Sequence, residues 1–177
     1  MDEHTELILL GIAGVAATFA GFSGVVSVFE RRAHGDWLPE ERFRLINMLI
    51  ISLSVCLFAF VPLDEGLLHV SEPALWVIAS VFMGAFCVAY FLCAFPYRLR
   101  LGRLRPGSLP VWVTAVFILA LCFAAVLQFL NATAILVECG AGPYVAGLLL
   151  LLVAAGLQFA FLVLAPLSPT EGGDRAV

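Results

Sequence analysis

Apolar residues run in long uninterrupted blocks along this chain, with charge confined to the segments between them. Five stretches, residues 7–29, 45–63, 74–95, 111–137 and 144–165, contain no Asp, Glu, Lys or Arg. An α-helix rises ~1.5 Å per residue, so about 20 residues cross the ~30 Å hydrocarbon layer of a bilayer. Each stretch meets that length. Lipid offers no hydrogen bonds to N–H and C=O groups, and a helix satisfies its backbone within one segment. The pattern predicts an all-α, polytopic integral membrane protein: a bundle of five transmembrane helices in one membrane domain, residues 1–177. The fourth stretch exceeds one crossing and is expected to tilt or to project beyond the bilayer.

Proline gives the same boundaries. Pro39, Pro73, Pro110 and Pro143 stand just before or at the start of a stretch, where a missing N–H has no partner to lose. Pro62, Pro96, Pro166 and Pro169 stand where stretches end, so no proline is expected mid-membrane. That argues against the broken helices that many secondary transporters carry at the midplane. Trp37, Trp76, Tyr97, Trp112 and Tyr144 fall near the interfaces that their amphipathic rings prefer. Tyr90 lies deeper, and its hydroxyl needs a partner.

Composition excludes a water-soluble domain: of 177 residues 63% are hydrophobic and 12% charged, with a mean hydropathy of +1.08. Charge adds an orientation. Lysine is absent, and the nine arginines are Arg31, Arg32, Arg42 and Arg44 after the first stretch, Arg98, Arg100, Arg103 and Arg105 after the third, and Arg175. The positive-inside rule places these segments in the cytoplasm, giving a multi-pass cell-membrane protein with its N-terminus outside and its C-terminus inside. Asp2, Glu3, Glu6, Asp64, Glu65, Glu72 and Glu138 then make the outer face acidic. The opening MDEHTE lacks the basic region of a cleaved signal, so the first helix is expected to stay. Lysine-free, Arg-, Ala- and Leu-rich usage points to a GC-rich prokaryotic genome.

Candidate chemistry is sparse. Cys56, Cys87, Cys93 and Cys122 lie within stretches as small hydrophobes, and Cys139 stands in an outer loop without a partner in its own chain. His69 with Asp64, Glu65 and Glu72 is the strongest acidic cluster, but acidic loop ends are common and hard cations need several converging oxygens. No metal, cofactor or nucleic acid is expected. No nucleophile and base pair is evident, and the chain reads as a non-enzyme.

Inside the stretches only neutral polar groups occur, among them Asn47, Thr114, Gln128, Asn131 and Gln158. Such groups either bond between helices or line a wet path. The first stretch is unusual in another way. Ile12, Val15, Phe19, Phe22, Val26 and Phe29 form a bulky stripe at helical spacing, whereas Ala13, Ala16, Ala20, Ser23 and Ser27 form a small one, with Gly14, Ala17, Gly21 and Gly24 beside it. Small faces let helix backbones approach closely in lipid, so this helix is expected to be the most protein-enclosed of the five.

Two functional readings follow. One is a homo-oligomeric channel or passive transport protein with the first helix at the assembly axis, its small face either lining a pore or forming a dry seam. The other is a structural or accessory subunit of a larger membrane complex. The partners are the lipid bilayer and either further copies of the chain or another membrane subunit.

Arginine placement carries a direct test. Reporter fusions at Glu3 and Glu138 are expected to read outside, and fusions at Arg100 and Asp174 inside. A cytoplasmic Glu3 would overturn the orientation.

Overall fold

Asp2 opens the first helix as its N-cap. Its carboxylate accepts a hydrogen bond from the Thr5 hydroxyl, and its carbonyl accepts the N–H groups of Thr5 and Glu6 at 3.1 and 3.3 Å. The Thr5 hydroxyl holds the Asp2 carboxyl below its ordinary value. From this cap runs α1, Glu3–His34. A computed structural model describes residues 2–34, 39–63, 71–104, 111–135 and 138–164. It continues with α2 (Pro39–Phe60, followed by a 3-10 turn, Val61–Leu63), α3 (Glu72–Leu104), α4 (Val111–Thr133) and α5 (Ala141–Leu164). Each of the five helices is long and apolar enough to cross a membrane, and no strand occurs among the described residues. The protein is a five-helix membrane bundle.

Two boundaries differ from the hydropathy reading. The fourth crossing does not reach residue 137, because α4 stops at Thr133 and Ala134 takes a left-handed conformation, φ 51°. A left-handed residue breaks the helical ladder, at a cost of about 1–2 kcal/mol for a side chain other than glycine. Residues 136–137 lie outside the described residues. The third helix, by contrast, does not end where its apolar stretch does: it passes through Pro96 and continues to Leu104. Proline removes the bond to the Leu92 carbonyl, one turn earlier, but the neighbouring turns carry the helix onward.

α1 packs along α2 and, over a shorter length, along α5. α3 packs along α4, and α5 lies between the two pairs, touching α2 on one side and α4 on the other. Its inward face, Tyr144, Leu148, Leu151 and Ala155, is buried against Ile51 and Val55 of α2 and Met83 of α3 in one continuous core. Aromatic rings connect α2, α3 and α4: Phe58 meets Phe86 edge-on at 5.5 Å, Phe86 stacks on Tyr90 at 5.8 Å, and Tyr90 meets Phe117 at 6.4 Å.

The end of α2 shows how the sequence closes its own gap. Pro62 has no N–H to give to the Phe58 carbonyl, which would otherwise be left bare in lipid. The Tyr144 hydroxyl from α5 donates to that oxygen at 2.8 Å, and the Tyr144 ring packs on Trp76 of α3 at 5.6 Å. One side chain thus ties three helices together.

A second tie depends on a missing side chain. Gln128 of α4 donates through Nε2 to the Pro143 carbonyl in the first turn of α5 at 3.1 Å, lying directly over Gly147. A Cβ at Gly147 would overlap that amide nitrogen and come within 3.1 Å of both Gln128 Cδ and Met83 Cε. Gly147→Ala is therefore expected to destabilise the bundle by about 1–3 kcal/mol, read as a lowered unfolding midpoint in detergent. Gly14→Ala, where an added Cβ meets nothing within 4 Å, is expected to leave the midpoint of the monomer unchanged or slightly raised.

Candidate functional site

The small-residue helix is divided by its neighbours. Leu9, Ile12, Ala13, Ala16 and Ser23 are buried against the rest of the chain, and Ala20 and Ser27 are half-buried. Gly14, Ala17, Gly21 and Gly24 are exposed, and a Cβ built on any of these three glycines would meet open space. The bulky stripe is divided too. Phe19 fits over Gly156 of α5, its ring 3.5 Å from where a Cβ would lie, and packs on Phe159 at 5.7 Å. Val15 and Phe22 remain exposed.

Within one copy, the first helix is not the most enclosed of the five. In α1's crossing window 28% of residues are buried, against 39% in those of α2 and α5. The helix lies at the edge of the bundle with neighbours on one side only. Its main contact runs along α2, with Phe19 meeting α5 at Phe159 and Gly156, while the glycines turn out.

The open glycine face runs from Gly14 to Gly24, about 15 Å at ~1.5 Å per residue, roughly half the hydrocarbon thickness. The hydroxyls of α1 bond within the helix itself. Thr18 donates to the Gly14 carbonyl at 2.8 Å, Ser23 to Ala20 at 2.6 Å and Ser27 to Gly24 at 2.7 Å. A hydroxyl bonded back to its own helix presents carbon outward.

The remaining intramembrane polar groups do not converge on one path. Asn47 accepts the Tyr90 hydroxyl across the α2–α3 contact, which gives the deep tyrosine its partner. Asn131 is held from three directions: its Nδ2 donates to Ser80 Oγ of α3 at 2.8 Å and to the Gly140 carbonyl at 3.2 Å, and its Oδ1 accepts the Gly140 N–H at 3.1 Å. Gln128 and Asn131 thus lie on one face of α4 and both grip the start of α5. Ser52 Oγ, Gln128 Oε1 and Gln158 Oε1 are buried without a hydrogen-bond partner among the described residues. The Thr114 side chain lies outside the described residues.

Of the other candidates, Cys139 is half-buried beside the Pro73 carbonyl, Sγ to O 3.9 Å, and burial raises its thiol above the ordinary value. His69, Asp64 and Glu65 lie outside the described residues, and among those described no group of three or more metal-binding side chains occurs. Sequence reasoning did not find Tyr144 or Gly147 as partners in the polar ties. The pairing of Pro62 with an unfilled Phe58 carbonyl was the available signal for Tyr144.

Comparison of the chain with protein-family models, with curated proteins and with solved structures found no match in any of the three.

The geometry of Asn131 separates packing from pore lining. Asn131→Leu removes three hydrogen bonds, two to the half-buried Gly140 backbone and one to the buried Ser80, where an unpaired buried group costs about 1–3 kcal/mol. It is expected to lower the unfolding midpoint clearly, whereas Thr133→Val, whose hydroxyl bonds only within its own helix, stays near wild type. A normally stable Asn131→Leu protein with altered solute flux would instead place Asn131 on a wet path.

Proposed function

We propose that this chain is a non-enzymatic, homo-oligomeric membrane protein serving as a channel or passive transport protein, with α1 of each copy at the assembly axis. In this reading it resides in the cell membrane, N-terminus outside and C-terminus in the cytoplasm. The observation that carries it is the open face of Gly14, Ala17, Gly21 and Gly24 on the helix at the edge of the bundle. In lipid an apolar face gains little by leaving the hydrocarbon, so helices associate through close van der Waals approach, which small residues allow.

The interior of one copy favours a path between copies rather than within one. Tyr144, Leu148, Ile51 and Met83 fill the space among α2, α3 and α5 and are fully buried. A ring of copies meeting on α1 would leave backbone and small side chains around its axis, where water has room. The same face seated on a helix of a different protein is the accessory-subunit reading.

Cross-linking discriminates between them. In a background with all five native cysteines replaced by Ser, Gly14→Cys, Ala17→Cys, Gly21→Cys and Gly24→Cys are expected to form disulfide-linked homodimers in membranes. A cysteine at Leu119, exposed on α4, should not. Gly21→Leu is expected to weaken self-association about fivefold or more, from an overpacking cost of ~1–3 kcal/mol, while leaving the monomer folded. It should abolish ion flux into liposomes if the wild type supports any. Self-association unchanged by Gly21→Leu would overturn the α1 axis, and a purified chain that stays monomeric in bilayers would favour the accessory role.

A further inference from the structure

α3 and α4 run antiparallel, and their contacts fix the register between them. Asn131 bonds to Ser80, and the Phe129 ring lies 3.1 Å from where a Cβ on Gly84 would stand. Further along, Tyr90 meets Phe117, and Phe91 and Ile118 line the same small crevice. Each step forward on α3 is matched by a step back on α4. Cys87, between Gly84 and Phe91, therefore comes level with Cys122, between Phe129 and Ile118.

The faces agree as well as the level. Gly84, Cys87 and Phe91 follow one another at helical spacing on α3, as do Ile118, Cys122 and Phe129 on α4, so each cysteine shares a stripe with residues that meet across the contact. Packing on this register seats Cys87 over the hollow formed by Ile118, Leu121, Cys122 and Ala125. Cys87 is buried and Cys122 is exposed on the outside of the bundle, and the two are near enough to interact electrostatically. Both lie well inside the crossings Glu72–Tyr97 and Ala115–Thr133. One thiol of the pair thus faces the acyl chains, and the other stands behind it.

We propose that Cys87 and Cys122 form a redox site within the membrane, which lipid peroxyl radicals oxidise to a disulfide joining α3 to α4. Ionic thiol–disulfide exchange needs a thiolate, and an isolated charge is costly in hydrocarbon. Hydrogen-atom transfer separates no charge and suits that medium. A peroxyl radical takes the hydrogen atom of the exposed Cys122 thiol and becomes a hydroperoxide, leaving a sulfur radical. That sulfur bonds to Sγ of Cys87, and the Cys87 hydrogen atom passes to a second peroxyl radical. Two thiols and two peroxyl radicals give one disulfide and two hydroperoxides.

The test uses the purified full-length chain in bilayers of unsaturated phosphatidylcholine, oxidised in air with a lipid-soluble azo radical initiator. Thiols that remain are alkylated after unfolding, and the digest is read by mass spectrometry without reduction. A disulfide holds its Cβ atoms about 3.5–4.5 Å apart, so the linked peptides report which sulfurs face each other. The wild type should give a Cys87–Cys122 link that a phosphine reductant removes, while Cys93, exposed elsewhere on α3, stays out of it. Cys122→Ser should leave Cys87 open to alkylation, because the buried thiol loses its route to the radical. Full alkylation of Cys87 and Cys122 in the wild type while lipid hydroperoxides accumulate overturns the proposal. So does a link from either cysteine to Cys93 or Cys56 as abundant as the link between them, or equal loss of Cys87 in the Cys122→Ser chain.

Discussion

Lipid solvates leucine as well as protein does, and that single condition governs this structure. In water the burial of its apolar surface would by itself drive the helices together. In hydrocarbon that drive is largely absent, and what remains is shape, interhelical hydrogen bonding and the requirement that no backbone group be left bare. The contacts that hold the bundle are accordingly few and local. The Tyr144 hydroxyl fills the place of the N–H that Pro62 lacks, the Gln128 amide fits where Gly147 has no side chain, and the Phe19 ring occupies the notch at Gly156.

These contacts give the five helices unequal roles. α5 takes part in all three, with Tyr144 bonding to α2, Gly147 under Gln128 of α4, and Gly156 under Phe19 of α1. The strongest polar ties gather at the acidic end of the bundle, where Asn131, Gln128 and Tyr144 bind α3, α4, α5 and the end of α2 to one another. α1 uses its hydroxyls within its own backbone and keeps to the edge, which is the disposition of a helix with surface to spare for a second molecule.

Much of this architecture was legible in the chain. Charge-free runs set the number of helices because a charged side chain at mid-membrane is costly, and a run of 19 or more residues without one is hard to read otherwise. Hydropathy misplaced the end of α4 for a physical reason: Ile135, Leu136 and Val137 are as apolar as the helix before them, and what turns the chain is the grip of Asn131 on Gly140. It placed the third crossing at 74–95, close to the apolar part of α3, whose helix runs on past Pro96 because apolarity measures where lipid ends and not where a helix does. The inward face of α1 was not legible because its small and bulky stripes each offer a sound way to pack. The choice is made by the tertiary contacts with α2 and α5, which lie outside the helix's own sequence.

The turn between α4 and α5 has a further consequence, for the order in which the protein is made. Asn131 binds both the N–H and the carbonyl of Gly140, so the connection is closed by residues only a few positions apart, and Gln128 fastens the two helices just below it. Those ties join α4 to α5 without a residue of the first three helices. In the order of synthesis this hairpin comes last, after the helices whose Ser80 and Phe58 it meets.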